Sequence, residues 1–315
     1  MTKTQIALVG IGAGAASALM FASIASGSLL SIFLFYVTPL PILIAAIGWS
    51  HWAAIVAAVG AATTLATVFG SVFFFAFMIG SGIPAWWLGY LAMLARPGAD
   101  NGSLEWYPPG RLVLWCAALA VLVISIGILI FGTDIETFRS EMRQALERVV
   151  RFRSEGGAAA NQAQLFDFLI AIMPMAAAVV ATTTNVLNLW LAARIVKFSG
   201  RLPRPWPDLP SLAFPAAAAV TLGVALALTF IGGIAGLLAS VATAALVVAY
   251  GILGFAVLHA VTRNARSRGL VLGLAYASVT VFFWPIFALC LLGLADTAID
   301  LRGRVARRGG PPAVI

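Results

Sequence analysis

Two asparagines inside an apolar run are the residues of this sequence best suited to bind a polar molecule. Asn185 and Asn188 lie in the stretch 166–210, whose first part predicts one very long helix with Pro174 in its body. They are three residues apart and share one helix face, and each amide offers two hydrogen-bond donors and an acceptor. Because unpaired polar groups inside a membrane are costly, both amides need partners there. Those partners are either a bound solute or ion, or neighbouring helices that the asparagines hold together.

Two aspartates are candidates for pairing with a coupling cation, as carboxylates do in transporters. Asp167 lies near the start of the same long helix, and Asp296 lies near the end of the last apolar segment. Asp296 and Asp300 share a helical face and precede Arg302 and Arg304, so pairing with arginines at the membrane interface is the alternative for Asp296.

Trp86 and Trp87 supply aromatic surface that could stack on a solute. They follow the segment 80–84 (GSGIP) after Ala85, and a second proline-containing segment, 38–41 (TPLP), lies earlier in the chain. Because proline removes a backbone donor, both segments predict broken or kinked helices. Transporters place substrate sites near such breaks at the membrane midplane, whereas a simple kink has no functional meaning.

The composition identifies an integral membrane protein. Of the 315 residues, 62% are hydrophobic and 10% are charged, with mean hydropathy +1.03, whereas soluble domains carry about 25% charged residues. The net charge of +8 does not indicate nucleic-acid binding, because Lys and Arg form short clusters between apolar runs. The sequence has no metal-ligand spacing, no cofactor motif, no nucleophile–base set and no ATP-binding P-loop. We therefore expect neither an enzyme nor a protein that powers transport by itself.

Nine apolar segments position these residues, each close to the about 20 residues that a membrane-spanning helix needs. Their predicted bounds are 4–25, 28–48, 50–70, 71–95, 111–133, 163–197, 212–233, 234–262 and 269–297. They predict an all-α, polytopic transmembrane helix bundle of eight or nine spans, forming a single membrane domain over 1–315. With nine crossings Lys and Arg divide almost equally between the two sides, so the positive-inside rule does not decide the orientation. The proline-containing second segment is the candidate for not crossing fully.

Residues 134–155 predict an amphipathic helix that is too polar to span a membrane. Its apolar stripe, at helical spacing, consists of Ile135, Phe138, Met142, Ala145, Leu146, Val149 and Phe152. Its arginines, Arg139, Arg143, Arg148, Arg151 and Arg153, occupy mainly the other faces. This helix lies either on the membrane surface or against the transmembrane bundle or another protein. A small, polar linker, 156–164, follows it.

Two further connectors flank the spans. Residues 96–110 form a turn-rich loop, in which Trp106 and Tyr107 suit the level of the lipid headgroups. Residues 201–210 contain four prolines and predict an extended, stiff connector with Trp206 as an anchor.

The first segment carries small residues at a four-residue spacing: Gly10, Gly14, Ala18 and Ala22. Such a ridge lets another helix approach closely. The partner is either a helix of this chain or a helix of another membrane subunit that docks on it.

Several motifs together resemble those of a known family. They are the glycine–alanine first helix, TPLP leading into IAAIGW, GIPAWWLGYLAML, EWYPPG, NLWLAARI with RLPRPWPDLP, GFAVLH and GLADTAIDLRGR. The pattern is similar to the YybS-like family of predicted bacterial membrane proteins, a domain of unknown function, and covers nearly the whole chain. That family is distantly similar to the S components of energy-coupling-factor transporters, which capture a small solute and dock to a coupling subunit. The resemblance implies location in the bacterial inner membrane and docking through Gly10, Gly14, Ala18 and Ala22.

Two hypotheses of function follow. In the first, the protein binds or translocates a small, unidentified solute, which Asn185 and Asn188 would hydrogen-bond and on which Trp86 or Trp87 would stack. In the second, it is a membrane scaffold or regulator that acts through residues 134–155, 201–210 and the basic tail 302–308. Both hypotheses place the chain in the lipid bilayer, without a cofactor, a metal or a nucleic acid.

Overall fold

The computed structural model describes residues 2–98, 103–151 and 159–308. Residues 99–102 of the predicted turn-rich loop, the end of the amphipathic helix from Phe152, and the first residues of the linker 156–164 lie outside the described residues. The chain divides into two compact units, Met1–Cys116 with Thr183–Asp208 (unit 1) and Ala117–Thr182 with Leu209–Ile315 (unit 2).

The first part of the chain alternates apolar helices with short turns. In order, these are α1 (Lys3–Ala22), α2 (Leu29–Tyr36), α3 (Leu40–Gly48), α4 (His51–Phe69), α5 (Ser71–Phe77) and α6 (Ile83–Ala92). Two short antiparallel strands, β1 (Ala95–Pro97) and β2 (Leu104–Trp106), then form a hairpin. The hairpin occupies part of the predicted turn-rich loop.

The second part is also helical. It consists of α7 (Pro109–Phe131), α8 (Ile135–Arg151), α9 (Ala159–Phe198), α10 (Ala216–Leu228), α11 (Gly233–Val261), α12 (Arg268–Phe282), α13 (Ile286–Ile299) and α14 (Leu301–Arg308). The long helix α9 keeps Pro174 in its interior. The predicted amphipathic helix corresponds to α8 over its described residues.

The predicted helical membrane architecture is confirmed at the level of several long apolar helices. Seven segments of the described chain are long and apolar enough to cross a membrane: Lys3–Ser26, Leu29–Gly48, His51–Phe69, Ser71–Ala92, Pro109–Phe131, Ala163–Phe198 and Gly233–Val261. The predicted segment 212–233 forms a shorter apolar helix, Ala216–Ile231. The predicted segment 269–297 is divided between α12 and α13 because Phe283 adopts a φ of 58° and Pro285 cannot donate a helical hydrogen bond.

Both predicted interruptions in unit 1 are present, in different forms. The second apolar segment is broken between α2 and α3, at the TPLP motif. The fourth segment instead continues through a π-helical turn, Met78–Gly82, into α6. A π-turn widens the helix locally without ending it, so Trp86 and Trp87 stay on a helix that is continuous with the preceding residues.

The ridge of small residues on α1 packs against α4 within unit 1. A methyl group added at Gly14 would lie 2.7 Å from the Ala57 carbonyl oxygen, and one added at Gly10 would lie 2.7 Å from Val56 Cβ. Gly10, Gly14 and Ala18 are buried, whereas Ala22 is half-buried. Packing inside the chain therefore explains the four-residue spacing of the buried members without a second protein.

The core of unit 2 is built around α11. Its partner α13 approaches through glycine, since a methyl group at Gly293 would lie 2.6 Å from the Tyr250 carbonyl oxygen. Val241, Ala245, Ala249 and Leu253 on α11 are fully buried. This close approach fixes the end of α13, where Asp296 lies.

Candidate functional site

The two asparagines of α9 donate hydrogen bonds to neighbouring helices of unit 1. Asn185 Nδ2 lies 3.1 Å from the Cys116 carbonyl oxygen of α7. Asn188 Nδ2 lies 2.9 Å from the Tyr36 carbonyl oxygen at the end of α2 and 2.9 Å from the Thr184 carbonyl oxygen one turn earlier in α9. The structure thus favours interhelical hydrogen bonding over solute binding for these amide donors.

The hydrogen bond to Tyr36 has a clear structural reason. In a continuous helix the Leu40 N–H would donate to the Tyr36 carbonyl, but here it donates to the Val37 carbonyl. Asn188 supplies the donor that the TPLP break removes. In the same way Ser17 of α1 donates from its hydroxyl to the Thr38 carbonyl oxygen, at 2.9 Å. A broken helix is tolerated inside a membrane when neighbouring side chains satisfy its freed backbone groups.

Trp86 and Trp87 belong to an aromatic cluster of unit 1. The Trp86 ring stacks on Tyr90 at a centroid distance of 6.3 Å, and the Trp87 ring packs edge-on against Trp115 at 5.3 Å. Trp115 donates from its indole nitrogen to the Tyr107 hydroxyl, at 3.0 Å. Both tryptophans therefore use their ring faces and edges for packing within unit 1.

Asp296 pairs with an arginine, as the alternative interpretation of the sequence predicted. Both Nε and Nη2 of Arg302 donate to Asp296 Oδ2, at 2.9 and 2.6 Å. Arg302 Nη1 donates to the carbonyl oxygens of Pro210 and Leu212, at 2.6 and 2.9 Å. The Asp296 side chain is 5% exposed and that of Arg302 is 20% exposed. A coupling cation at Asp296 would therefore have to displace this guanidinium.

Asp167 is a sequence-predicted candidate that lines a cleft. This cleft of unit 2, the α8–α9 cleft, has a volume of about 440 Å³. Its lining includes Phe138 and Arg139 of α8, Asp167 and Met175 of α9, and Thr229 and Leu237 beside the turn between α10 and α11. Asp167 forms an ion pair with Arg143 of α8. The cleft brings a cation and an anion together above an apolar wall.

The position of α8 creates this cleft. Asp134 caps the helix, since its Oδ1 accepts from the N–H groups of Glu136 and Thr137 at 3.1 and 2.9 Å. Phe138, on the apolar stripe, is 1% exposed, so α8 packs on its own unit. The side chain of Arg139 is 61% exposed and lies 3.9 Å from Glu136.

Sequence reasoning missed Arg139 as a site residue. The helical periodicity assigned it to the polar face of the amphipathic helix, which is correct, but the same residue also borders the apolar stripe through its neighbour Phe138. The only available signal was that border position, and the contribution of the α10–α11 turn could not be anticipated because its partners are distant in sequence.

The fold defines the class of this chain as a membrane protein with several apolar helices. A family model described as "Predicted membrane protein (DUF2232)" matches residues 15–297, and the chain belongs to this family. No curated protein and no solved structure matches the chain. The comparisons thus establish a family of membrane proteins. They do not confirm the similarity to the YybS-like family or to the S components.

Proposed function

We propose that this protein is a multi-pass membrane component, of the bacterial inner membrane, that binds a small solute in the α8–α9 cleft as part of transport. The solute has an apolar body and a charged head group. The proposal assigns no catalytic step to the chain, and any energy for transport comes from another subunit or an ion gradient.

The observation that carries this proposal is the joint presence of Arg139 and Asp167 in one cleft with an apolar wall. Small-molecule sites are typically concave, largely apolar and of about 300–1,000 Å³, with a few polar groups that fix orientation. Arg139 can bind a carboxylate through two parallel hydrogen bonds. Asp167 can accept a hydrogen bond from an ammonium group while it remains paired with Arg143. A zwitterion of amino-acid size matches this pair of charges.

The family resemblance supports solute capture rather than an unrelated role. The S components of energy-coupling-factor transporters bind a small solute within their helices and dock on a coupling subunit through a face of small residues. In this chain Gly10 and Gly14 lie against α4, so a coupling subunit would require a surface other than these two glycines. The hydrogen bonds of Asn185 and Asn188 likewise favour a site elsewhere, in the α8–α9 cleft.

The proposal is tested by the binding of apolar amino acids to the purified full chain in detergent. Each amino acid is compared with its N-acetyl derivative, which lacks the ammonium group, and with its amide, which lacks the carboxylate. We expect at least one parent amino acid to raise the unfolding midpoint, because ligands of the folded state stabilise it. Either derivative should bind about tenfold more weakly or worse, since a charge-assisted hydrogen bond contributes about 1.5–3 kcal/mol.

Two variants connect this preference to the cleft. In Arg139→Gln the parent and the amide should bind alike, and in Asp167→Asn the parent and the N-acetyl derivative should bind alike. Arg148→Gln, an exposed arginine of the same helix that bonds to the Gln144 carbonyl, is the matched control and should bind as the unaltered protein does. Failure of every amino acid to bind, or binding that is unaffected by both cleft variants, would contradict the proposal.

A further inference from the structure

A second cleft, in unit 1, lies beside the β-hairpin and has a different chemistry. This hairpin cleft has a volume of about 440 Å³, and its lining includes Leu94, Arg96, Glu105, Trp106, Tyr107 and Arg111. The hairpin joins the apolar segments Ser71–Ala92 and Pro109–Phe131. The cleft therefore lies where two apolar segments end, at the level where a bilayer has its headgroups.

The charge balance of this cleft is positive. Arg96 Nε donates to Glu105 Oε2 at 2.8 Å across the hairpin, so these two charges neutralise each other. Hydrogen bonding to Glu105 raises the pKa of Arg96, and the same bond lowers the pKa of Glu105. The exposed Arg111 pairs with no acidic side chain of the described residues. The cleft thus keeps one uncompensated guanidinium.

A third arginine, Arg204, contacts a residue that lines the cleft. Arg204 Nη2 donates to the Tyr107 carbonyl oxygen at 2.7 Å, and its Nη1 donates to the Ala92 carbonyl oxygen at 3.0 Å. Burial lowers the pKa of Arg204, yet its guanidinium stays protonated because an arginine side chain does not lose its proton in proteins. These two bonds also hold residues 201–208, the part of the connector that belongs to unit 1, beside the hairpin.

Further pairs of a cation and an indole ring lie in unit 1. Lys197 Nζ lies 4.7 Å from the centre of the Trp206 ring, and the Arg201 guanidinium lies 4.6 Å from the centre of the Trp49 ring. Leu94 and Leu104 of the hairpin region are 39% and 59% exposed. Cations, indole rings and exposed leucines together suit a ligand that has an anionic head and an apolar tail.

We propose that the hairpin cleft binds the phosphate group of an anionic phospholipid, with Arg111 as its principal ligand. Arg204 adds positive potential, and Trp106 and Tyr107 border the headgroup. Basic pockets between membrane helices bind such headgroups. The site lies in unit 1 and does not depend on a solute in the α8–α9 cleft of unit 2.

The test measures the binding of phosphatidylglycerol and phosphatidylcholine to the purified full chain by native mass spectrometry. Phosphatidylglycerol should bind more tightly, and Arg111→Gln should weaken it about fivefold, the equivalent of about 1 kcal/mol per cation near an anionic surface. Glu105→Gln should have the opposite effect and tighten binding, because it removes the acidic group of the cleft. Arg266→Gln, an exposed arginine of unit 2, is the matched control and should not change the affinity.

Equal affinity for the two lipids, or an Arg111→Gln variant that keeps full affinity for phosphatidylglycerol, would overturn the proposal. A competition experiment with inorganic phosphate distinguishes a lipid phosphate from a free phosphate as the ligand. If millimolar phosphate displaces phosphatidylglycerol, the cleft is a site for a free anion and not for a lipid. The opposite signs expected for Arg111→Gln and Glu105→Gln distinguish a local charge effect from misfolding, which would weaken binding in both variants.

Discussion

Replacing Asn188 by leucine tests whether the buried amide is a structural partner of the TPLP break. Leucine has the same branching and the same number of side-chain non-hydrogen atoms as asparagine, so the variant removes the hydrogen-bonding groups and keeps the shape of the side chain. The larger volume of its methyl groups is shared by the control variant Asn185→Leu. Asn188 is 3% exposed, and its Oδ1 has no hydrogen-bond partner among the described residues. The variant therefore removes one unsatisfied acceptor while it leaves the Tyr36 carbonyl oxygen without the donor that Asn188 supplies.

The expected loss of stability follows from which carbonyl loses its donor. The Thr184 carbonyl lies inside the continuous helix α9 and keeps its backbone donor, so losing the side-chain bond there costs little. The Tyr36 carbonyl lies at the break and has no helical donor from Leu40. Leaving a buried acceptor unpaired costs about 1–3 kcal/mol, and interhelical bonds in membranes contribute about 0.6 kcal/mol on average and at most about 1.7. We expect Asn188→Leu to lower the free energy of unfolding by about 1–2 kcal/mol.

The matched control is Asn185→Leu in the same helix. Its acceptor, the Cys116 carbonyl, lies inside the continuous helix α7 and already accepts a helical N–H, so the loss should be about 0.5 kcal/mol or less. The assay is equilibrium unfolding of the purified chain in mixed micelles, followed by circular dichroism. The critical result is that Asn188→Leu has a lower free energy of unfolding than Asn185→Leu. Equal stabilities, or an unchanged Asn188→Leu, would refute the argument that the amide satisfies the broken helix.

Three further predictions concern packing and charge. Gly14→Leu should destabilise the chain by about 1–3 kcal/mol, because the added side chain collides with α4. In the control Gly12→Leu the added side chain points into open space, so this variant should be nearly neutral. Similar unfolding free energies for the two variants would contradict the packing of α1. Arg302→Gln should cost about 3–5 kcal/mol by leaving the Asp296 carboxylate buried and unpaired, and the double variant with Asp296→Asn should recover part of that loss in the same unfolding assay. Hydrogen bonding to Thr137 lowers the pKa of Asp134, so the cap of α8 should persist above the ordinary value of about 3.9 and be lost as the pH falls through the lower folded pKa. The measurement is amide exchange at the start of α8 relative to the intrinsic exchange rate at each pH, and a protection factor that does not fall in acid would count against this cap.

Local patterns in the sequence predicted most of the helices of this protein. Apolar runs of about 20 residues must form helices inside a bilayer, because every backbone group needs a partner there. The TPLP break followed from the missing N–H groups of Pro39 and Pro41, and the amphipathic helix followed from a stripe of residues such as Ile135 and Phe138. The division of the segment 269–297 was not predicted, because Pro285 alone signals only a kink and the positive φ of Phe283 has no sequence signal of its own.

The candidate sites were predicted only in part, because the sequence shows which polar groups need partners but not which partners they have. The sequence identified Asn188 and Asp296 as polar groups that are costly inside a membrane. The partner of Asn188, the Tyr36 carbonyl, lies 152 positions away in the sequence. Asp296 pairs with Arg302 rather than Arg304 because of the turn after α13. The sequence analysis assigned Arg139 to the polar face of the amphipathic helix, and Arg111 is the first residue of the predicted segment 111–133. That each lines a cleft depended on elements distant in sequence.

The sequence by itself determined that this chain is a helical membrane protein, since periodicity and hydropathy act over neighbouring residues and need no knowledge of long-range contacts. Only the tertiary structure decided what the small and polar residues do. The glycine ridge of α1 is covered by α4, Asn188 donates to a broken helix, and Asp167 faces a cleft with Arg139. The physical reason is that hydrogen bonds and ion pairs act over a few ångströms, so their partners are set by helix packing rather than by local sequence.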